Sequence, residues 1–515
     1  MGGVAVVSLL LGFGRHAPFY QFLYMLPYFS TIRNPIKFFY VVNWALVVLF
    51  AYGIHGLSRR YLEAPLLATG GLVATVQSWW ARACGFDRQW TFGCLAALAV
   101  ATLGCMVYAS SRNNFVAYLQ TVQFDEAMAN AIASFSLREA WLFVLRFALA
   151  LTVVTLVLSG CFAGRRARWG ALALGAVLVG DLAQANSPWV LHWDWQQKYA
   201  TNPVIDFLRE KPYQQRVAGL PFRMPPKLGL LEQLYRIEWA QHHFPYYNIQ
   251  ALDIVQMPRM PEDLTAWEKA LGSAGAPGLL RRWELSNTRY LLGPAMFVEV
   301  LNQQLDPQRQ RFKDVLRFEV EPKPGIRSEE ARKLEQFTAV PATNGAYALI
   351  EFSGALPRAA LYSNWQVVTN ESQALELLAS PAFDPHQTVL VATNLPAPSP
   401  AKGATNPSPG TVAFASYTPA HIVLKAEAPS PAVLLLNDKY DPAWTVTVDG
   451  QPAPLLHCNF LMRGVALPPG AHTVEFHFQA PNGTLYVTLA ALGFGVALLG
   501  LLIVTRPKNP DLPAT

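Results

Sequence analysis

Charge is scarce in this chain of 515 residues: 14% are Asp, Glu, Lys or Arg, while 52% are hydrophobic. Soluble domains usually carry about 25% charged residues, so lipid-facing surface or an outsized core has to account for the deficit. Cysteine is scarce too. The five cysteines are Cys84, Cys94, Cys105, Cys161 and Cys458, with no Cys-x-x-Cys pair among them, and nothing reads as a zinc or haem site. Only Cys458 falls within 186–483. That stretch therefore closes no internal disulfide and must be held by its own core, for which it is long enough. No His-Glu-x-x-His, phosphate-binding loop, Gly-x-Gly-x-x-Gly after a strand or Gly-x-Ser-x-Gly elbow is present, which removes most soluble-enzyme classes, and no cofactor or metal is expected. The basic residues form short clusters beside apolar blocks, so the formal charge of +6 does not imply nucleic acid.

What the chain does have is long uncharged runs. Crossing a bilayer core takes about 20 apolar residues. Residues 484–505 meet this with no charge, and 37–57, 92–110 and 139–162 also qualify. Residues 168–185 are shorter and apolar until Asp181, while 1–13 make about half a span. No basic residue precedes that first run, so it does not read as a secretory signal; it reads as the tail of a helix whose upstream partners are absent. Basic residues set the direction. Arg59, Arg60, Arg82 and Arg88 share one loop, Arg165, Arg166 and Arg168 another, and Arg506 and Lys508 follow the last run. Placing all three groups in the cytoplasm is consistent with about six alternating crossings in a bacterial inner membrane. Residues 15–36, 111–138 and 186–483 then face outward. The short apolar run 65–79 reads as interfacial or re-entrant; the alternative, that it spans, would break the alternation of crossings.

Residues 186–345 mix helix and strand signals; Asn202-Pro203 before VIDFLRE reads as a capped helix entry. From 346 the pattern turns to short, β-branched and aromatic strands: AYALIEF, RAALYSNWQVVT, TVLVAT, HIVLKAEA, AVLLLND, AWTVTVDG, LLHCNF, MRGVAL and HTVEFHF. Asp449-Gly450 is a hairpin signal. The expected fold is a membrane α-helical bundle (1–185) and an extracytoplasmic α+β region (186–345). A jelly-roll-like β-sandwich (346–483) with a Pro-rich loop at 395–409 follows, then a final transmembrane helix (484–505) and a cytoplasmic tail (506–515).

Several segments carry a resemblance. In FGRHAPFYQFLYMLPYFSTIRNPIKFFY a Leu26-Pro27 step is followed by Arg33, Pro35, Lys37 and Phe38. Asp181-Leu182 ends a helix. Tyr247, Asn248 and Ile249 precede QALDIVQMPRMPE, and LSNTRYLLG spans 285–293. The most specific segment is LLLNDKYDPAWTVTVDGQPAPLLHCNFLMRGVALPPGAHTVEFHF, with Tyr440, Pro442, Trp444, Asp449, Gly450, Asn459, Arg463, Pro469, Gly470 and His472. In these the chain resembles the C-terminal part of YfhO-type bacterial multi-pass membrane proteins, with Asp253 standing where that family usually has Gly. The resemblance implies kinship with GT-C-type membrane glycosyltransferases that take sugar from polyprenyl-phosphate donors and modify a cell-surface glycan. It also implies an acidic catalytic residue in a first outer loop that lies before this chain begins.

A donor phosphate needs cations at headgroup level and sugar activation needs a carboxylate. Arg15, Arg33 and Lys37 are the candidate phosphate ligands, with interfacial snorkelling the alternative. Asp125 and Glu126, in the second outer loop, are the candidate carboxylates; a solvated loop or a helix N-terminus is the more ordinary role. Arg146 and Asp181 are charges at bilayer depth. A lone charge there costs about 2.5–3.5 kcal/mol on insertion scales, and their two helices are antiparallel neighbours, so an intramembrane pair is expected. Trp189, Trp193 and Trp195 read as an interfacial aromatic belt. Tyr440 and Trp444 are candidate carbohydrate-stacking rings, with core packing the commoner use. Membrane lipid is the partner expected throughout. A non-catalytic anchored module that binds carbohydrate or protein, or a subunit completing another chain, is the alternative to an enzyme; transport is a distant third.

Overall fold

In hydrocarbon a single segment can satisfy its backbone only as a helix, and the apolar runs of the first half are helical. The structure is a computed structural model that describes residues 1–17, 20–26, 34–64, 71–211, 213–222, 228–253, 260–396 and 410–505. It divides into two units, Met1–His192 and Trp193–Thr515.

The first unit contains α1 (Gly2–Gly12), α2 (Tyr20–Met25), α3 (Phe38–Leu57), α4 (Leu72–Arg82), α5 (Gly85–Ser110), α6 (Arg112–Thr121), α7 (Glu126–Leu158) and α8 (Ala167–Asn186). Among the described residues four helical stretches are long and apolar enough to cross a membrane: Pro35–Leu62, Gly85–Ser110, Glu126–Leu158 and Gly483–Val504. The other two expected crossings differ in kind. Helix α8 has 20 residues but includes Arg168 and Asp181, and α1 has 11. Of 65–79, residues 65–70 lie outside the described residues, and the remainder joins α4, whose 11 residues are too few to span. The expected outer loop 111–138 is instead largely helical. Asp125 accepts a hydrogen bond from the Met128 N–H at 2.7 Å, so α7 starts at Glu126 and runs for 33 residues, about 50 Å. A good N-cap followed by the helix-forming run EAMANAIASF overrides the loop expectation.

Helices α1 and α3 pack closely at one end. A Cβ on Gly14, whose φ is +55°, would stand 2.6 Å from Pro35 Cγ, and one on Gly12 would stand 2.4 Å from the Phe39 ring. Both positions need glycine for space, and Gly14 needs it for backbone conformation as well.

The second unit continues with α9 (Trp195–Lys198), α10 (Pro203–Arg209), β1 (Arg216–Gly219), α11 (Gly229–Gln233), α12 (Phe244–Tyr246), β2 (Gln250–Ala251), α13 (Glu262–Ser273), α14 (Gly275–Leu285) and β3 (Thr288–Pro294). Between α11 and α12 the helix widens to π pitch over Leu234–His243. Then come α15 (Phe297–Val300), β4 (Phe312–Pro322), β5 (Phe337–Pro341) and β6 (Tyr347–Phe352). These strands form one mixed sheet in the order β2-β1-β3-β6-β4-β5. Asn202 caps α10 through its Oδ1, which accepts from the Val204 and Ile205 N–H groups, with Pro203 in the first turn. Strand β6 was expected to open the sandwich. It lies instead between β3 and β4, because Ala348, Leu349 and Ile350, all fully buried, fill both faces of the mixed sheet.

The rest of the β-structure is a sandwich. Strands β7 (Ala359–Tyr362), β8 (Trp365–Val367), β9 (Val389–Val391), β10 (Thr411–Tyr417), β11 (His421–Ala428), β12 (Ala432–Lys439), β13 (Trp444–Val448), β14 (Gln451–Ala453), β15 (Leu456–Cys458), β16 (Met462–Leu467) and β17 (Gly470–Phe478) make two sheets. Their orders are β7-β12-β16-β15-β9-β8 and β10-β11-β17-β13-β14. Leu361, Leu424, Leu434, Val465 and Phe476 share one core between them. The other face of the first sheet packs Val433 and Leu435 against Trp267, Leu271 and Leu378, which come from α13 and from α16 (Glu371–Ala379). Strand β12 is thus covered on both sides, which is why its sequence is continuously apolar rather than alternating. Strands β8 and β9 are parallel and joined through α16, a βαβ unit that an all-antiparallel jelly roll does not contain. Most of the Pro-rich loop, 397–409, lies outside the described residues.

Asp449 and Gly450 both take positive φ, 52° and 77°, the turn that joins β13 and β14 with the right twist. His472 Nδ1 stands 2.7 Å from Asp449 Oδ2. That hydrogen bond, foremost, raises the His472 pKa, and the same bond, with the Thr473 N–H, lowers that of Asp449. A raised histidine contributes stability fully below its unfolded value of about 6.5 and loses it as pH rises through the folded value. A lowered carboxylate contributes above about 3.9 and loses it as pH falls. The pair therefore holds the hairpin best between those two values. Asp449→Asn is expected to shift the His472 titration downward in histidine-selective NMR; an unmoved titration would show that the carboxylate is not its partner.

The last helix, α17 (Gly483–Val504), has no buried residue. Its side chains from Leu485 to Val504 are exposed, an apolar surface far larger than a protein in water sustains.

Candidate functional site

Helices α7 and α8 run antiparallel, joined by a turn whose glycines Gly160 and Gly164 take positive φ. The connection brings Arg146 and Asp181 level. Arg146 Nη1 stands 3.2 Å from Asp181 Oδ1, so the two charges expected to be partners are adjacent. The Arg146 side chain is 21% exposed and that of Asp181 49%. Arg146 Nη2 is buried and has no hydrogen-bond partner among the described residues.

Both residues border a cavity of about 700 Å³. Its other walls are apolar: Phe50 and Ile54 on α3, Trp90 on α5, Phe147 and Val154 on α7, and Leu174 on α8. Phe143, Arg146, Phe147, Ala150 and Val154 recur at helical spacing, as do Ala171, Leu174, Gly175 and Leu178, so each helix turns one face to the cavity. From Asp181 to Ala171 the wall extends about 15 Å along the helix axis. The site is a long hydrocarbon-lined space with one guanidinium–carboxylate pair at its border and one guanidinium nitrogen, Nη2, unpartnered among the described residues. Such a space suits an apolar chain that ends in an anion.

The other candidate residues are placed differently. Arg15 lies in the single turn Gly14–His16 and Lys37 in the single turn Pro35–Lys37, both exposed. The close approach of Gly14 to Pro35 puts these turns side by side. Arg33 lies outside the described residues. Asp125 is engaged as the α7 cap, and Glu126 is the acidic residue of the first turn, where it complements the helix dipole. Tyr440 stacks on His457 with centroids 4.4 Å apart, and the Arg463 guanidinium lies 3.9 Å over the Trp444 ring, so both rings have internal partners. Trp189, Trp193 and Trp195 are exposed at 77%, 54% and 60%. Lys198, just after them, is buried against Glu238 at 2.6 Å and lies 5.1 Å over the Trp193 ring.

One constellation escaped sequence reasoning. Asp438, at the end of β12, is buried and accepts from Arg216 at 3.1 Å, Arg358 at 2.5 Å and Arg463 at 3.2 Å. Tyr417 donates to it at 3.1 Å. Burial raises the Asp438 pKa, but Arg358, Arg216 and Arg463 outweigh it and hold the carboxyl below its ordinary value. Burial, then the neighbouring Arg358, pushes Arg216 down to about 10. Arg216 also donates to the Ser286 and Asn437 carbonyls, so the cluster pins the mixed sheet to the sandwich. The available signal was an acidic residue closing a run of apolar strand residues: a buried carboxylate requires a counter-charge. Among the described residues no cluster of His, Cys, Asp and Glu suits a metal ion.

No protein-family model matches the chain, and neither does any curated protein or solved structure.

Proposed function

We propose that the chain is a multi-pass protein of a bacterial inner membrane, a YfhO-type relative of GT-C glycosyltransferases. In this reading it takes part in cell-envelope glycan modification, transferring sugar from a polyprenyl-phosphate donor to a cell-surface glycan at the outer face, where 186–483 lies. The observation that carries this is the apolar cavity bordered by Arg146, whose Nη2 is free. An isoprenoid phosphate has the matching chemistry. Its tail replaces lipid contacts along the cavity, and its phosphate accepts a charge-assisted hydrogen bond from a guanidinium that Asp181 orients. Arg15, Arg33 and Lys37 would supply further cations at headgroup level.

Asp125 is engaged as a helix cap, which favours a second reading, a membrane-anchored carbohydrate- or protein-binding module or a subunit that completes another chain. Membranes with and without the chain, supplied with a labelled polyprenyl-phosphate sugar, separate the two. The enzyme reading predicts chain-dependent incorporation of label into an envelope glycan. Equal incorporation in both membranes would contradict it and favour the anchored module.

A further inference from the structure

A second cleft of about 700 Å³ lies wholly within the second unit, between the mixed sheet and the sandwich. Its volume falls inside the roughly 300–1,000 Å³ typical of small-molecule sites, which favour such junctions. Among the described residues most of the charges around it are cancelled in pairs, the exceptions being Asp253 and Arg216, which shares Asp438 with Arg358 and Arg463. Glu268 meets Arg282 at 3.0 Å, Glu232 meets Arg236 at 3.1 Å, and Lys439 meets Asp263 at 2.7 Å. Asp253 is held by the Tyr235 hydroxyl at 2.7 Å and the Gly219 N–H at 2.8 Å. Burial, and then Asp253, raises the Tyr235 pKa well above its ordinary value, so the phenol stays a neutral donor. Paired charges give little net pull on an ion, and the Asp253 carboxylate disfavours an anion near it, yet together they leave a dense set of fixed donors and acceptors.

Two donors remain unused. Trp267 is 1% exposed and lines the cleft. Among the described residues its Nε1 has no hydrogen-bond partner, and neither does the Nε of Arg282, another lining residue. Buried donors without partners are rare and each asks for an acceptor. Between the polar groups the wall is apolar, with Leu220, Leu264 and Met462. Neutral hydroxyl and ether acceptors alternating with C–H faces, and no net charge, describe a carbohydrate.

We propose that this cleft binds an uncharged oligosaccharide, with Trp267 Nε1 and Arg282 Nε donating to its oxygens and Glu268 accepting from a hydroxyl. As the seat of the glycan acceptor it rests on the transfer reading above. As a saccharide site it stands on binding alone, so the test reads binding and leaves transfer aside.

The full chain in detergent is titrated with maltotriose, chitotriose and trigalacturonate, with ligand-observed NMR as the readout. At least one neutral trisaccharide is expected to bind more tightly than the anionic one. Trp267→Phe keeps an aromatic ring but removes the pyrrole part with its donor, and is expected to weaken that binding about tenfold. Trp267 is also a core residue, so Glu268→Gln, with an unchanged melting temperature as its control, is the second variant and is expected to weaken binding as well. Trp169→Phe, on α8 in the first unit, should leave affinity unaltered. Tighter binding of trigalacturonate, no binding of either neutral sugar, or affinity unmoved by both cleft variants would overturn the proposal.

Discussion

Asp438→Asn is expected to lower the unfolding free energy of the second unit by about 3–5 kcal/mol, the cost of breaking a buried ionic group from one side. Asparagine has nearly the same shape, so the effect is electrostatic. Three guanidinium groups would remain packed around a neutral amide, with Arg358 Nε and Nη1 and Arg463 Nε already unpartnered. Thermal unfolding of the purified chain, followed by sandwich tryptophan fluorescence, checks this. Arg358→Met placed on top of Asp438→Asn removes one uncompensated charge and should recover part of the loss. A melting temperature unchanged by Asp438→Asn would show that the cluster is solvated. The pH dependence has a fixed sign. Because the carboxyl is held below its ordinary value, its contribution is present above an unfolded pKa of about 3.9 and is lost as pH falls through the folded value. The wild type should therefore lose stability steeply in acid, and the Asn variant less so.

The second large effect concerns Arg146 and Asp181. In the proposed membrane reading, replacing either alone leaves its partner as a lone charge at bilayer depth, which costs about 2.5–3.5 kcal/mol on insertion scales. Arg146→Leu and Asp181→Asn should each destabilise the helices by about that order, while the double Arg146→Leu, Asp181→Leu should regain most of it. Unfolding in detergent micelles measures all three. The double variant also separates two roles. If the pair only holds helices together, the double variant keeps every property of the wild type; if Arg146 also receives a lipid phosphate, the double variant folds yet no longer retains that lipid. Singles without cost, or a double as unstable as their sum, would mean that each charge reaches water independently.

The sequence made the helical runs legible because a span is a local property: length and absence of charge suffice. The Arg146–Asp181 juxtaposition was legible for a related reason. A tight turn forces two helices antiparallel, and residue counting then sets depth. The Asp449-Gly450 turn was readable from two residues. What stayed hidden is non-local. Arg216 and Asp438 are 222 residues apart, and neither strand alone reveals the other. Strand β6 looks like its sandwich neighbours because β propensity states that a segment is extended, not which sheet it enters. At Asp125 and Glu126 the sequence left a solvated loop and a helix N-terminus both open beside a catalytic role, and the hydrogen bond from the Met128 N–H to Asp125 selects the helix N-terminus. The cleft at Trp267 was equally illegible, since its walls come from α13, α14, β1 and the end of β12.

Purified chain in nanodiscs, exposed to polyprenyl phosphate and separately to the uncharged polyprenol, gives the most direct reading of the proposed lipid site. Native mass spectrometry should show the phosphate retained at least about tenfold better, a difference of about 1.4 kcal/mol, and that preference should vanish in the Arg146→Leu, Asp181→Leu double variant. Equal retention of the two lipids by the wild type, or a preference that survives the double substitution, would contradict a phosphate seat at Arg146.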